Sequence, residues 1–332
     1  MKLATYNVEW FDALFADDGS LCEDDGWSAR WNVTRRAQIA ALGRVFQALD
    51  ADAIMVIEAP DTSRGRDTVR ALEQFTARFG LRQRAVLVGF PNDTQQEIAL
   101  LYDPDVMSVA HAPGASADAP RFDGALSIDL DTDARGDAVR WSKPPLEARV
   151  TVAGRVVQVI GVHAKSKAPH GATSAEEATR ISIANRRKQL AQCIWLRRRV
   201  EALLAAGEDV IVLGDFNDGP GLDDYEKLFG RSGVEIVMGE PASMYDPHAA
   251  QALSSRFAGP TTARFWLRQE QRYLQALLDY IMVSPRLRDL EPRWRIWHPL
   301  DDPECFEDQA LQKALLAASD HFPVTVEFDP LG

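Results

Sequence analysis

Six short polar clusters between positions 7 and 321 carry the residue types that could do chemistry together. Most of them follow a strand-like apolar run directly, so they are expected where strands end. The clusters are Asn7, Glu58, His163, Asp215 with Asn217, Asp279, and Asp320 with His321. Each one alone has an ordinary explanation, such as a turn asparagine, a surface carboxylate or a buried, hydrogen-bonded histidine. Together they combine several hard oxygen donors with two histidines.

This combination suits the hydrolysis of a phosphate ester. The side-chain oxygens of Glu58, Asn7 and Asp320 are the ligand type that Mg²⁺ or Mn²⁺ prefers. A metal of this kind neutralises phosphoryl oxygens, while the histidines and the remaining carboxylates move protons on the two sides of the phosphorus. No motif for a nucleophilic serine or cysteine is present. We therefore expect water to be the nucleophile.

The clearest signal lies in residues 210–218. The run Val-Ile-Val-Leu predicts a buried strand, Gly214 interrupts it, and Asp215, Asn217 and Asp218 stand on the following turn. A turn with these side chains is able to hold a cation or a phosphate. The alternative is an Asx-rich turn that binds no ligand.

Asp279 is a second strong signal, because it interrupts the apolar run over residues 277–283. A carboxylate buried there without a partner would cost several kcal/mol. We therefore expect a cationic or hydrogen-bond-donating neighbour for Asp279.

The elements that position these residues follow from the apolar periodicity. Continuous or alternating apolar runs predict strands, and apolar residues spaced by threes and fours predict helices. The predicted strands are 3–8, 53–57, 85–88, 98–102, 125–130, 146–152, 155–162, 210–213, 277–283, 293–297 and 323–328, and the predicted helices are 34–49, 66–79, 174–207 and 222–229. Strand–helix–strand units occur twice and no linker divides the chain, so we expect one α/β domain over residues 1–332.

The composition is that of a packed globular protein, with 46% hydrophobic and 26% charged residues. A net charge of −12 opposes tight, nonspecific binding to duplex nucleic acid, although a local basic groove or a bound cation can reverse the field. No apolar run approaches the roughly 20 residues of a membrane span. The three cysteines form no zinc spacing or disulfide framework, and no signal-peptide pattern occurs. We expect a cytoplasmic protein.

The order of the polar clusters along the chain is also informative. The segments are Thr5-Tyr6-Asn7, Ile57-Glu58, Val162-His163-Ala164-Lys165-Ser166, Gly214-Asp215-Phe216-Asn217, Asp279-Tyr280-Ile281 and Ser319-Asp320-His321. This set resembles the endonuclease/exonuclease/phosphatase superfamily, which has the deoxyribonuclease-I-like fold. The resemblance implies a four-layer α/β sandwich, with two mixed β-sheets packed face to face and helices outside. It also implies a divalent-metal phosphoesterase with its site along one edge of the sandwich.

The resemblance implies a role for each matching residue. Glu58 would be the main metal ligand, helped by Asn7 and Asp320. Asp215 would orient or deprotonate the attacking water, and Asn217 would hold the phosphate.

The histidines and their supporting carboxylates are assigned in the same way. His321 would contact the scissile phosphate or act as a base. His163 would protonate the leaving oxygen, with Asp279 orienting it. Glu97 resembles the carboxylate that supports the final histidine.

Two departures from the family pattern bear on phosphate contacts. Ile57 stands where many relatives have Gln before the metal-binding Glu. Lys143, in Lys-Pro-Pro-Leu, stands where many have Arg. Neither change removes a catalytic group.

Substrate contacts are less specific in the sequence. Lys165, Lys167 and Arg180 could bind substrate phosphates or could simply solubilise a loop. Aromatic residues at 265, 266 and 273 could stack on bases or pack in a core. The basic residues of the helix over 174–207 are expected on its solvated face. They are Arg186, Arg187, Lys188, Arg197, Arg198 and Arg199.

Three functional hypotheses follow. The first is a Mg²⁺-dependent phosphodiesterase, a nuclease acting on DNA or RNA. The second is a phosphatase or diesterase for a small molecule or lipid headgroup, which the acidic surface favours. The third is a catalytically dead binding module, which the retention of both histidines and all the carboxylates argues against.

Overall fold

The structure, a computed structural model, describes residues 1–129, 136–169, 171–221, 230–239, 243–254, 259–267 and 271–329. The helix predicted over 222–229 and position 130 of the strand predicted over 125–130 lie outside these residues. Within them, no helix is both long enough and apolar enough to cross a membrane.

The strands account for both sheets and two small hairpins. In chain order they are β1 (Lys2–Asn7), β2 (Ala53–Ala59), β3 (Ala85–Val88), β4 (Glu97–Tyr102), β5 (Met107–His111), β6 (Leu126–Ile128), β7 (Asp137–Val139), β8 (Leu146–Val152), β9 (Arg155–His163), β10 (Asp209–Asp215), β11 (Ala263–Leu267), β12 (Arg272–Ala276), β13 (Asp279–Val283), β14 (Arg293–Ile296) and β15 (Val324–Glu327). The helices are α1 (Arg35–Leu49), α2 (Thr68–Phe79), α3 (Ala175–Ala205), α4 (Gly233–Met238), α5 (Pro247–Ser254), α6 (Pro285–Arg288), α7 (Pro303–Glu307) and α8 (Gln309–Ala318).

Two mixed sheets form the centre of the fold. The first has the strand order β14-β15-β1-β2-β4-β3, and the second has the order β13-β10-β9-β8-β5. Each sheet contains one parallel pair, β1 with β2 and β9 with β10, and its other neighbouring strands are antiparallel. The predicted architecture of two mixed sheets is confirmed.

Three apolar layers hold the sheets and helices together. Met55, Val159 and Leu213 belong to the layer between the two sheets. Phe46 belongs to the layer that α1, α2 and α8 form on the outer face of the first sheet. Trp195 on α3 belongs to the layer outside the second sheet. Because the central strands are buried on both faces, they form continuous rather than alternating apolar runs in the sequence.

The parallel pairs place the polar clusters at one edge of the sandwich. Asn7 ends β1 and Glu58 lies near the end of β2, while His163 ends β9 and Asp215 ends β10. Strand β13 runs antiparallel to β10, so its first residue, Asp279, pairs with Asp215. Side chains from both sheets therefore meet at this edge.

Candidate active site

Asp215 lies at the centre of this edge. The strand register pairs it with His163 on β9 and with Asp279 on β13, so three polar side chains form one row across neighbouring strands. Gly214 has a φ of 138°, and a side chain there would overlap the Val162 carbonyl oxygen. The close approach of β9 to β10 therefore requires glycine immediately before the aspartate.

The Asp215 carboxylate is bound by amides from both sheets. Asn7 Nδ2 donates to Asp215 Oδ2 at 3.1 Å. Asn217 donates its backbone N–H to Oδ1 at 2.7 Å and its Nδ2 to Oδ2 at 3.1 Å. Burial raises the pKa of Asp215 to about 7, against the opposing charge of His321. A carboxyl that titrates near neutral pH has the property required of a general base.

Glu58 reaches the site from a bulge in β2. The register with β4 shifts between Ile57 and Ala59, and Glu58 has a φ of 65°. Its Oε2 accepts a hydrogen bond from the Trp10 N–H at 2.8 Å, and its Oε1 lies 3.9 Å from His163 Nε2. The bulge thus turns the carboxylate toward the residues of the second sheet.

A cavity of about 570 Å³, hereafter the central cavity, joins these groups. Its lining includes Asn7, Glu58, Lys143, His163, Lys165, Asp215, Asn217 and His321. Residues separated by up to 314 positions in the sequence therefore share one space of the size typical for a small-molecule site.

Asp279 is paired with His321. Its Oδ2 lies 2.8 Å from His321 Nδ1, and both side chains are buried. The expectation that Asp279 orients His163 is therefore wrong, because this carboxylate oxygen faces the other histidine. Burial alone would lower the pKa of His321, but the charges of Asp279 and Asp215 raise it well above its ordinary value. The two carboxylates therefore favour the charged imidazolium form of His321.

His163 has a different environment. Its Nε2 lies 3.1 Å from Lys143 Nζ and 3.6 Å from Asp215 Oδ2, and its buried Nδ1 has no hydrogen-bond partner among the described residues. Burial, reinforced by the charges of Lys143 and His321, lowers the pKa of His163 well below its ordinary value. Burial also lowers the pKa of Lys143 to about 8. Lys143 is thus part of the site, although the sequence marked it only as a departure from the family pattern.

Asp320, the third expected metal ligand, lies beside the central cavity. It lines an adjoining cavity together with Glu9, whose Oε2 accepts from the Asp320 N–H at 2.9 Å and pairs with Arg30. Burial and the charge of Asp320 raise the pKa of Glu9 to about 7. The Glu9 N–H also donates to Asn7 Oδ1 at 3.1 Å. Glu9 was missed by the sequence reasoning, although it stands two residues after the recognised asparagine.

Glu97 does not support His321 in the structure. Its carboxylate accepts hydrogen bonds from the Asn92 N–H at 3.3 Å and from Asn92 Nδ2 at 2.7 Å. His321 Nδ1 already faces Asp279. Burial raises the pKa of Glu97 to about 7. The expected pairing is wrong because Glu97 begins β4 and is held by the loop that leads into that strand.

The expected phosphate-binding residues occupy three different environments. Lys165 lines the central cavity. Lys167 is bonded to Asp218 Oδ1 at 2.8 Å, which also pairs with Arg186 at 2.6 Å. Arg180 is 77% exposed and lies 3.7 Å from a helix neighbour rather than in the cavity. Of the three, only Lys165 is placed at the site directly.

The expectation of a solvated basic face on α3 is wrong for three of its members. Arg186 is fully buried against Asp218. Arg199 pairs with Glu147 at 2.6 Å, and Arg197 donates to the carbonyl oxygens at the end of α4. These arginines fix loops and strand ends around the helix, because buried guanidinium groups require partners.

Two buried glutamines on α3 support the site, and the sequence reasoning missed both. Gln189 Nε2 donates to the backbone carbonyls of residues 165, 216 and 217 at 3.0, 3.1 and 2.9 Å. Gln192 Oε1 accepts from the Lys165 N–H at 2.9 Å. Their signal in the sequence is an amide at a helix position that the apolar spacing turns inward.

The donor set fits a hard divalent cation. Asn7, Glu58 and Asp215 line the central cavity with carboxylate and amide oxygens. Asp215, Asp279 and His321 also have donor atoms within 4.8 Å of one another, but His321, in its charged form beside Asp279, is not a metal ligand. Carboxylate and amide oxygens at this density suit Mg²⁺ or Mn²⁺, which retain water at their other positions.

A four-layer sandwich with an acidic, histidine-flanked cavity at one edge defines a class of α/β proteins to which phosphoester hydrolases belong. The chain belongs to the Endonuclease/Exonuclease/phosphatase family, whose profile matches residues 4–321. Members of this family hydrolyse phosphoesters. No curated protein sequence matches the chain significantly.

Solved structures share this fold at low sequence identity. Truncated Caenorhabditis elegans TDP2 is 14% identical, with a TM-score of 0.52 over 98% of this chain and 96% of that one. Mannosyl-6-phosphatase from Bacteroides thetaiotaomicron is also 14% identical, with a TM-score of 0.52 over 99% of each chain. D. rerio TDP2 complexed with a single-strand DNA product is 13% identical, with a TM-score of 0.51 over 99% of this chain and 98% of that one.

Proposed function

We propose that this chain is a divalent-metal-dependent phosphodiesterase that acts as a nuclease on DNA or RNA. The observation that carries the proposal is the convergence of Asn7, Glu58, Asp215 and both histidines on one cavity. Phosphoryl transfer needs positioning and charge stabilisation more than covalent chemistry, and this cavity offers both. We also propose that residues 1–332 form one domain and that the protein acts in the cytoplasm.

Glu58 and Asn7 would hold the metal, with Asp320 beside them. When bound, Mg²⁺ or Mn²⁺ would neutralise charge on the phosphoryl oxygens. The surroundings of the Glu58 carboxylate support this assignment. Among the described residues it accepts a hydrogen bond from one N–H group and lies 3.9 Å from His163 Nε2, and it forms no ion pair with an arginine or lysine.

Asp215 would orient the attacking water and accept its proton. The amide groups of Asn7 and Asn217 hold the carboxylate in one orientation through two hydrogen bonds. Asn217 itself would contact the phosphate. His321, charged by its pair with Asp279, would bind a phosphoryl oxygen and stabilise the charge that develops there.

The leaving oxygen would receive its proton from the Lys143–His163 pair. Their nitrogens are 3.1 Å apart, so one proton and one positive charge are shared at this point of the cavity. A neutral His163 has no imidazolium proton to donate. The ammonium group of Lys143, bonded to it, would supply the proton. The proposed general acid is therefore the pair rather than His163 alone.

The nuclease substrate is supported by the single-strand DNA product bound to D. rerio TDP2, a protein of the same fold. The alternative is a phosphatase for a small molecule. The net charge of −12 favours it, and so does the likeness to a mannosyl-6-phosphatase. Phosphodiester and phosphomonoester hydrolysis require the same cavity, so a substrate comparison must separate them.

The test is a hydrolysis screen with Mg²⁺, with Mn²⁺ and with EDTA. The substrates are bis-p-nitrophenyl phosphate, p-nitrophenyl phosphate, plasmid DNA, single-stranded DNA and RNA. We expect metal-dependent cleavage of the diesters, and a loss of at least roughly 10²-fold in Asp215→Asn, the scale of general acid–base catalysis. Asp25→Asn, at a side chain 83% exposed, is the matched control. Activity that survives Asp215→Asn would reject the mechanism, and cleavage of monoesters alone would favour the phosphatase.

A further inference from the structure

A second cavity of about 570 Å³ adjoins the central cavity, and the proposed mechanism uses little of it. We call it the aromatic cavity. The lining residues that matter are Arg30, Trp31, Arg264, Trp266, Tyr273 and Asp320. These three aromatic rings, with Phe265 as a fourth, and the two guanidinium groups surround a space beside the segment that carries Asp320 and His321.

The β11–β12 hairpin builds one wall of the aromatic cavity. Its register places Trp266 opposite Tyr273, with ring centroids 5.0 Å apart in an edge-to-face arrangement. Arg264 lies two residues before Trp266, on the same face of the strand, and its guanidinium stands 4.2 Å from the Tyr273 ring centroid. The Arg264 Nε is buried and has no hydrogen-bond partner among the described residues. The wall is therefore built from ring and guanidinium contacts within the two strands themselves.

Backbone hydrogen bonds fix the hairpin to the segment that contains Asp320 and His321 of the proposed active site. The Arg264 N–H donates to the Asp320 carbonyl oxygen at 2.7 Å, and Ala263 forms a bridge with His321. The Phe265 ring centroid lies 6.0 Å from that of His321. The distance between the aromatic wall and the proposed phosphate site is therefore set by the fold.

The exposure of these rings needs an explanation. Trp266 is 44% exposed, Tyr273 is 53% exposed and Trp31 is 80% exposed, although large aromatic side chains gain most from burial. Exposed aromatic residues gathered around one concave site mark a ligand-binding surface. Flat rings with an adjacent guanidinium are the groups on which nucleic-acid bases stack.

Positive charge continues on another groove near the central cavity. A cavity of about 460 Å³ is lined by Arg140, Arg187 and Lys188, with Asp137 as the one carboxylate among its described lining residues. Gln192 links this groove to the central cavity, because its Oε1 accepts from the Lys165 N–H at 2.9 Å and its Nε2 donates to the Arg140 carbonyl oxygen at 3.4 Å. A chain with phosphates beyond the scissile one would meet cations there, which a small monoester would not need.

We infer that the aromatic cavity binds an unpaired nucleobase next to the scissile phosphate, which makes single-stranded nucleic acid the substrate of this site. The inference rests on the proposed nuclease function and extends it. A base in an intact duplex is stacked on its neighbours and cannot enter, whereas a base in a single strand or at a frayed end can. Preference for single strands then follows from the shape of the cavity.

Binding can be measured without hydrolysis. Single-stranded oligonucleotides carrying 2-aminopurine at successive positions are titrated with the full-length protein in EDTA, and quenching of fluorescence reports stacking. We expect one position to be quenched, and Trp266→Ala to raise the Kd by roughly 5- to 150-fold, the effect of removing one base–aromatic stack. Trp266→Phe, which keeps a flat ring, should recover most of the affinity. Trp27→Ala, at a tryptophan 68% exposed outside the cavity, should leave Kd unchanged.

Several outcomes would overturn the inference. The first is an equal Kd for Trp266→Ala and Trp27→Ala, and the second is duplex binding as tight as single-strand binding. The third is that a glycosyl phosphate binds the protein and displaces the oligonucleotide, which would make a sugar phosphate the ligand of the cavity. Hydrolysis of bis-p-nitrophenyl phosphate by the wild-type protein separates failure of this inference from failure of the proposed phosphodiesterase function. Turnover without position-specific quenching defeats the inference and leaves the phosphodiesterase intact, whereas quenching without any turnover defeats the proposed function.

Discussion

Replacing Asp279 with asparagine should lower turnover at pH 7 by roughly 10²- to 10³-fold, because the substitution removes the carboxylate that keeps His321 charged. The two groups are 2.8 Å apart and both side chains are buried. Removing one partner of a buried ion pair costs about 3–5 kcal/mol. Since 1.36 kcal/mol corresponds to one pKa unit, the imidazolium becomes roughly 10²-fold or more harder to form.

The assay is the pH dependence of kcat on a soluble phosphodiester at saturating metal. In the wild-type protein, the raised pKa of His321 keeps the imidazolium populated through neutral pH. In Asp279→Asn, the pKa of His321 falls, so we expect activity to recover partly as the pH is lowered. A merely structural role for Asp279 would lower kcat without changing this profile.

Two double-mutant cycles then identify the histidine that Asp279 serves. If the pair with His321 is correct, Asp279→Asn adds little to the loss already caused by His321→Ala, and its effects combine additively with those of His163→Ala. The opposite pattern, with coupling to His163 and additivity with His321, would refute the assignment made from the structure. A circular dichroism spectrum and an unfolding midpoint for each variant establish that the fold is intact.

Three further substitutions test other parts of the structure. Glu58→Gln should weaken activation by Mg²⁺, and an unchanged metal titration would exclude this residue as a ligand. In the wild-type protein, the raised pKa of Glu97 makes the free energy of unfolding fall as pH rises from about 4.5 to 7, and Glu97→Gln removes this loss. Relative to wild type, the variant should therefore be more stable at pH 8 than at pH 5, by at most about 3 kcal/mol. Urea unfolding at both pH values measures the difference, and a difference that does not change with pH contradicts the prediction. Arg186→Leu should cost about 2–4 kcal/mol in urea unfolding by leaving Asp218 with fewer partners, while the matched Arg180→Leu on the exposed face should cost under about 0.5 kcal/mol.

The central strands were predictable because burial on both faces leaves an unmistakable apolar run. Strands β1, β2, β9 and β10 were each located within two residues at either end, and each carries one of the expected polar residues at or near its end. Edge elements were harder. Strand β5 has the burial pattern of a half-exposed edge strand, and β11 and β12 form a hairpin whose side chains are mostly half-buried or exposed. None of the three has the apolar run that identifies a buried strand.

The membership of the site was more predictable than its pairings. Motif order places Asp215, His163 and His321 together, but the sequence cannot tell which carboxylate faces which imidazole. That choice depends on register: β13 runs antiparallel to β10 and starts at Asp279, opposite Asp215. Lys143 could not be predicted as a site residue for a similar reason. It lies in a loop 20 residues before His163, and only the fold brings its Nζ to 3.1 Å from His163 Nε2.

The residues proposed to carry out the chemistry and the residues proposed to select the substrate lie on different parts of the fold. The groups proposed to react stand on strand ends whose relative positions are set by the packing of the two sheets, as the bond from Asn7 on β1 to Asp215 on β10 illustrates. The aromatic wall stands instead on a hairpin outside both sheets, joined to the site by backbone bonds at Asp320 and His321. Substitutions on the outer face of that hairpin should therefore change which phosphoester is bound without disturbing the row of residues proposed to cleave it. A family that keeps one catalytic edge and varies such attached elements can serve many substrates, because binding energy for the remote part of a substrate is supplied separately from stabilisation of the reacting phosphoryl group.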